Sequence, residues 1–165
     1  MTKTFVLLPM LAATLLAHAA GDFTTIRRTS TSLSDSTPRL LINFTLPSNV
    51  NVSSSTSNSA VLDLEVLGSE FNFNEVYINP PTTVCTSNDT DANQTRSIGI
   101  LQEHDDTSLK TEWATNHIAF SSGFLVAGTN QLMVCVRSFT GAAGPSVGNL
   151  DNISLRSVVL HYHTQ

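Results

Sequence analysis

The stretch AVLDLEVL, residues 60–67, decides the fold. Leu62, Leu64 and Val66 alternate with Asp63 and Glu65. On an extended chain that spacing sends apolar side chains to one face and carboxylates to the other. On a helix it would scatter both sets around the axis. The same period of two recurs on either side. In RLLINFTL, residues 39–46, Leu40, Ile42, Phe44 and Leu46 point to the core, and Pro47-Ser48-Asn49 ends the run. In EVYIN, residues 75–79, Val76 and Ile78 face inward, and Pro80-Pro81 stops the strand. The turn Gly128-Thr129-Asn130 opens QLMVCVRS, residues 131–138, where Leu132, Val134 and Val136 alternate.

Shorter signals complete the set. SIGIL (97–101), the run from Trp113 to Phe120, and the run from Asn152 to Tyr162 read as further strands, the last as one or two. FTTIRR (23–28) reads as an edge strand, while the Ser/Thr-rich run from Thr29 to Thr37 reads as flexible. Asn51 to Ser59, Thr82 to Thr95 and Gly141 to Gly148 read as loops. Some eight short strands, many turn signals and no helical period predict an all-β antiparallel sandwich. In the last run, alternation puts Val158, Leu160 and Tyr162 inward, with Val159, His161 and His163 opposite.

Composition narrows the function classes. The 165 residues carry 13 acidic and 8 basic side chains, a net charge of −5. Lys3 and Lys110 are the only lysines, which excludes a nucleic-acid binder that relies on backbone charge. It also argues against a basic helix lying on a membrane surface. Residues 1–19 have the layout of a secretory signal peptide: Lys3, an apolar run from Phe5 to Leu16, then Ala17-His18-Ala19. That run is too short to span a bilayer, and no later one is longer. The expected organisation is therefore a signal peptide (1–19), an N-terminal segment (20–38) and a sandwich (39–165). Export suits the two cysteines, Cys85 and Cys135. One bridge between them would close a loop of about 51 residues, for which chain entropy gives on the order of 4 kcal/mol. Two unpaired buried thiols are the alternative. Cys135 faces away from Leu132, Val134 and Val136, so a bridge must tie the 82–95 loop over the outside of a sheet. Asn43, Asn51, Asn88, Asn93 and Asn152 lie in glycosylation sequons, which matter only in a eukaryotic source.

The order of motifs resembles a known family. Leu62-x-Leu64-x-Val66-x-Gly68 is followed by Asn74-Glu75-Val76-Tyr77-Ile78-Asn79, by Trp113 and Leu125, and by Gly128-Thr129-Asn130-Gln131-Leu132-Met133-Val134. Leu150-Asp151-Asn152-Ile153-Ser154-Leu155 follows near the end. This is similar to the galactose-binding-like jelly-roll β-sandwiches, which include non-catalytic domains of β-glycosidases and many carbohydrate-binding modules. The resemblance spans Ala60 to Tyr162. It departs at Pro80, where a Gly is expected after Asn79, and at the long polar loop bearing Cys85. It implies a jelly roll, a last strand lying against the N-terminal one, and a glycan ligand. It also implies a structural Ca²⁺ at Asp151, near the first residues of the chain; a local turn donating backbone N–H groups to the same carboxylate is the alternative. No other cofactor is expected.

Several residue clusters are candidates for chemistry. Trp113, the only Trp, is either a stacking platform for a sugar or a core plug. His104-Asp105-Asp106 offers carboxylates for sugar hydroxyls, half of a catalytic pair with Glu112, or a charged hairpin tip. His161-x-His163 shares one strand face and offers two Zn²⁺ ligands, or else two solvent-facing side chains. Asp89-x-Asp91-x-Asn93 begins like a Ca²⁺ loop, but Gln94 and Ile100 exclude an EF-hand.

The first functional reading is a secreted non-catalytic binding or surface module with glycan as its ligand class. A pilin-like structural or adhesive subunit, assembling through an extended N-terminal strand, is the rival. A secreted hydrolase ranks third. The segment from Asp22 to Pro38 separates the first two, because strand donation needs it free and an edge left open. The oligomeric state is not written in the sequence.

Overall fold

The computed structural model describes residues 20–54, 59–70, 74–87, 92–102, 112–143 and 147–165. The expected signal peptide lies outside them. Nine strands are present: β1 (Ala20–Arg27), β2 (Thr31–Leu33), β3 (Arg39–Leu46), β4 (Ser59–Leu67), β5 (Glu75–Ile78), β6 (Ser97–Ile100), β7 (Ala114–Ser121), β8 (Gly128–Cys135) and β9 (Ile153–Thr164). Two 3-10 turns, Gln94–Arg96 and Ser122–Phe124, are the helical segments among the described residues.

The strands form two antiparallel sheets, with order β1-β9-β4-β7 and order β3-β8-β5-β6; β2 also pairs with β9. Leaving β2 aside, the pairings are nested. β1 pairs with β9, β3 with β8, β4 with β7, and β5 with β6. That is one long hairpin rolled over itself, the topology of a jelly roll. The contacts of β1 with β3 and of β6 with β7 bring the two layers together along both flanks.

The core lies between the layers, and alternation builds it. Leu40, Phe44 and Leu46 of β3 meet Leu62, Leu64 and Val66 of β4, with Val76, Ile78, Leu132 and Val134 opposite. β9 runs between β1 and β4, so it is central, and Val158, Leu160 and Tyr162 are buried as the pattern predicts. Ile153 and Leu155 are buried too, although they have the opposite parity. An extra residue reconciles the two halves. Between the pairs Glu65↔Arg156 and Asp63↔Val159 the register slips by one, and Ser157 at the slip has φ 53°. This β-bulge inverts the phase of β9 midway.

The N-terminal segment is not loose. β1 and β2 lie in the same sheet as β9, and Leu33 of β2 is 1% exposed in the core. The flexible reading of Thr29 to Thr37 is therefore corrected. Period two cannot show a three-residue strand with a single apolar anchor. The boundary at residue 38 likewise falls within one sandwich. The loop reading of 51–59 is corrected in part, since Asn51 is buried and its N–H donates to the His163 carbonyl (2.7 Å), and β4 begins at Ser59.

The outer face of β5 and β8 carries a second, small core of Tyr77, Met133, Cys85 and Cys135. Cys85 and Cys135 form a disulfide with Cα atoms 5.8 Å apart, which straps the loop after β5 onto this face. Beneath the strap, the fully buried Arg137 guanidinium sits 2.9 Å from the Glu75 carboxylate. Tyr77 Oη donates to the same carboxylate (2.6 Å), and the Gln94 amide and Ser97 hydroxyl donate to its other oxygen. The three added donors on Glu75 offset part of the cost of burying its charge. Two losses test this layer by urea unfolding. Replacing both cysteines with Ser is expected to cost on the order of 4 kcal/mol. Glu75→Ala is expected to cost ~3–5 kcal/mol, because the guanidinium stays buried without its carboxylate.

Candidate functional site

Among the described residues, the outer face of the five-stranded sheet has no such cover. Register fixes what stands on it. Phe23 of β1 is opposite His161 of β9, His161 is opposite Val61 of β4, and Val61 is opposite Ala119 of β7. One row along, Thr25, Val159, Asp63 and His117 follow in the same order. Past the bulge, Arg156 stands beside Glu65, and Glu65 beside Thr115. In a regular strand without the bulge at Ser157, Arg156 and His161, five residues apart, would lie on opposite faces of β9.

Asp63 is the hub of this face. His117 Nδ1 donates to Asp63 Oδ1 at 2.7 Å, and His161 Nε2 lies 3.0 Å from Asp63 Oδ2. A carboxylate only accepts, so each ring presents its N–H to Asp63 and leaves its other nitrogen for a ligand. The three side chains are 29%, 66% and 49% exposed for Asp63, His117 and His161. Phe23, 62% exposed, lies 6.2 Å from the His161 ring. Beside it a groove of about 270 Å³ is lined by Gly21, Asp22, Phe23, Ser59, Val61, His161, Tyr162 and His163. Burial pushes the Tyr162 phenol above its ordinary range, and the Asp22 carboxylate adds to the effect.

The far corner is built around Trp113. It is half-buried, and the Arg156 guanidinium lies over its ring, 4.0 Å from the centroid. Arg156 Nε donates to Glu65 Oε2 at 2.7 Å. The hydrogen bonds from Arg156 and then Ser157 hold the Glu65 carboxyl below the usual carboxylate range.

The other candidates fall elsewhere. His104, Asp105 and Asp106 lie outside the described residues, as do Asn88, Asp89 and Asp91. Glu112 is exposed. Asp151 is 3% exposed and accepts from the Glu70 N–H (2.9 Å) and from the Asn74 amide. These two donors come from the β4–β5 connection, and Asp151 lies away from the start of β1. The expectation erred because β1 pairs with the far end of β9, while β2 pairs with the end next to Asp151. Among the described residues no group of three His, Cys, Asp or Glu side chains is arranged to hold a metal ion, His161 with His163 included. Of the sequons, Asn43 and Asn152 are exposed; Asn51 and Asn93 are buried, and Asn93 uses its amide on Thr82 and Val84.

Phe23, Asp63, His117 and Arg156 carry most of the site, and sequence reasoning did not select them. Alternation already turned Asp63 outward. What was missing was the strand order that sets two histidines beside it.

No family model and no curated protein sequence matches the chain. Among solved structures it is similar to a β-porphyranase of glycoside hydrolase family 86 from the human gut bacterium Bacteroides plebeius. That match has 12% identity and a TM-score of 0.42, and covers 88% of this chain and 21% of that one. The chain thus spans about a fifth of the enzyme. It is also similar to a CBM35 from Paenibacillus barcinonensis, with 17% identity, TM-score 0.32, and 81% and 97% of the two chains covered. A third is the K1 cleaved adhesin domain of Lys-gingipain from Porphyromonas gingivalis W83, with 7% identity, TM-score 0.34, and 86% and 97% covered. These are likenesses of strand layout and give no residue of this chain a role.

Glu65 supplies a test of the corner's electrostatics. A carboxyl whose folded pKa is depressed adds stability above its unfolded pKa of ~4.3, and that stability is lost as pH falls through the folded value. Carbon-13 titration should place Glu65 below that reference in the native chain, and Arg156→Gln should move it upward. The stability change at pH 7 should be small, because the pair is solvent-exposed.

Proposed function

We propose that the chain is a secreted, non-catalytic module that binds glycan on the outer face of its five-stranded sheet. The observation that carries this reading is the chain of contacts Phe23–His161–Asp63–His117. It sets an exposed ring beside a fixed carboxylate and two imidazoles on an open, preformed surface. Sugars need both halves of that arrangement. The C–H face of a pyranose packs on an aromatic ring, while its hydroxyls exchange hydrogen bonds with planar acceptors and donors. The disulfide supports an oxidising compartment.

The hydrolase reading is weaker on this face. Asp63 and Glu65 are two carboxylates on one strand face, as glycoside hydrolysis would require. Yet a general acid needs a raised pKa, and Glu65 is held low by Arg156. The strand-donating subunit is weaker too, since β1 and β2 are both paired within their own sheet.

A glycan array probed with the purified chain tests the reading. Binding to at least one glycan class is expected, with loss of about tenfold or more in Phe23→Ala and in Asp63→Asn. Both positions are on the surface, so both variants should keep the native circular dichroism spectrum. Binding unchanged in both variants would move the site elsewhere.

A further inference from the structure

Two rings stand at opposite corners of the open face, and nothing described closes it off between them. Phe23 shares a row with Ala119 of β7, through His161 and Val61. Trp113 precedes Ala119 by six residues. With ~3.4 Å per residue along a strand and ~4.8 Å between strands, the two side chains are rooted about 25 Å apart on a diagonal. That is several pyranose units, well beyond one sugar or a chain end. Asp63 and His117 lie between the corners, and Glu65 and Arg156 lie next to the Trp113 corner.

Charge narrows the class further. Asp63 and Glu65 put carboxylates along the path. Arg156 is the guanidinium between the two rings among the described residues, and it is already engaged by Glu65 and by the Trp113 ring. His117 and His161 point their N–H groups at Asp63. A uronate or sulfate would therefore meet these carboxylates with the Arg156 guanidinium already engaged, whereas hydroxyls would find acceptors. The chain's net charge of −5 adds to the repulsion at long range.

Resting on the glycan reading, we infer that the ligand is an internal stretch of a neutral, linear polysaccharide. It lies diagonally across β1, β9, β4 and β7 and is held at two separated ring contacts, Phe23 and Trp113. Trp113 is the second subsite, and Arg156 with Glu65 is its positioning pair.

Isothermal titration with cello-, xylo-, manno- and β-1,3-gluco-oligosaccharides, each from disaccharide to hexasaccharide, tests this, with polygalacturonate as the anionic probe. In the series that binds, affinity should climb with chain length and level off only near the longest members. Phe23→Ala and Trp113→Ala should each weaken the hexasaccharide about tenfold, and the double variant about a hundredfold, as independent sites add. Trp113→Phe should restore most of the affinity, which separates stacking from a folding defect. Polygalacturonate should not bind. A disaccharide that binds as tightly as the hexasaccharide, with Trp113→Ala silent, would overturn the two-ring inference and leave a chain-end site at Phe23. Tighter binding of polygalacturonate than of the neutral chains would overturn the charge argument. Failure of every probe to bind would count against the glycan reading itself.

Discussion

One β-bulge, at Ser157 of β9, governs both sides of the five-stranded sheet. β9 is central, so its side chains must serve the core and the outer face at once. Ile153 and Leu155 face inward before Ser157, and Val158, Leu160 and Tyr162 face inward after it. The change of phase is what keeps five apolar side chains in the core along twelve residues. It also sets Arg156 beside Glu65 and His161 beside Asp63 on the same outer surface. Ser157 takes left-handed backbone geometry to do this, which a non-glycine residue adopts only at a cost.

The two outer faces have opposite fates, and each is set by its side chains. On β8, Met133 and Cys135 are apolar outward residues, so that face demands a cover. The 82–95 loop supplies it, fixed by the disulfide and by Asn93, whose amide bonds the backbone of Thr82 and Val84. On β4 and β9 the outward positions are Asp63, Glu65, Arg156 and His161, which need no cover. The closed face holds the sandwich rigid behind the open one. Asn79 and Asn130 complete this support. Asn79 Oδ1 accepts from the Gln131 N–H, and Asn130 bonds both ends of the turn from Val126 to Gly128.

Much of the fold was legible because period two is a strong signal when charged residues alternate with aliphatic ones, as in residues 60–67. The central place of the last strand and the outward path of the disulfide followed from the same parity. β2 was not legible, because three residues with one buried Leu have no period. The bulge was hidden because Ile153 and Leu155 contradict Val158 and Leu160 only when both halves are read together. The buried Glu75–Arg137 pair was not legible, because Glu75 and Arg137 lie 62 residues apart and meet only through the pairing of β5 with β8. The resemblance drew attention to Trp113, whereas Asp63 and His117 lie 54 residues apart and meet only through strand pairing. The Asn79 and Asn130 motif residues that suggested a family turn out to fasten turns.

Replacing Ser157 with Val and following thermal unfolding tests the central role of the bulge most directly, with Ser157→Gly as the control. A β-branched residue resists φ 53°, and a strand that keeps residue 157 without the bulge must turn the apolar side chains of one half of β9 to solvent. Each such exposure costs ~1.5–3 kcal/mol, and two or three of them approach a domain's whole stability of ~5–15 kcal/mol. The account predicts that Ser157→Val lowers the melting temperature, while Ser157→Gly, which accepts φ > 0 freely, keeps a native-like transition. A Ser157→Val variant that melts at the native temperature would contradict it.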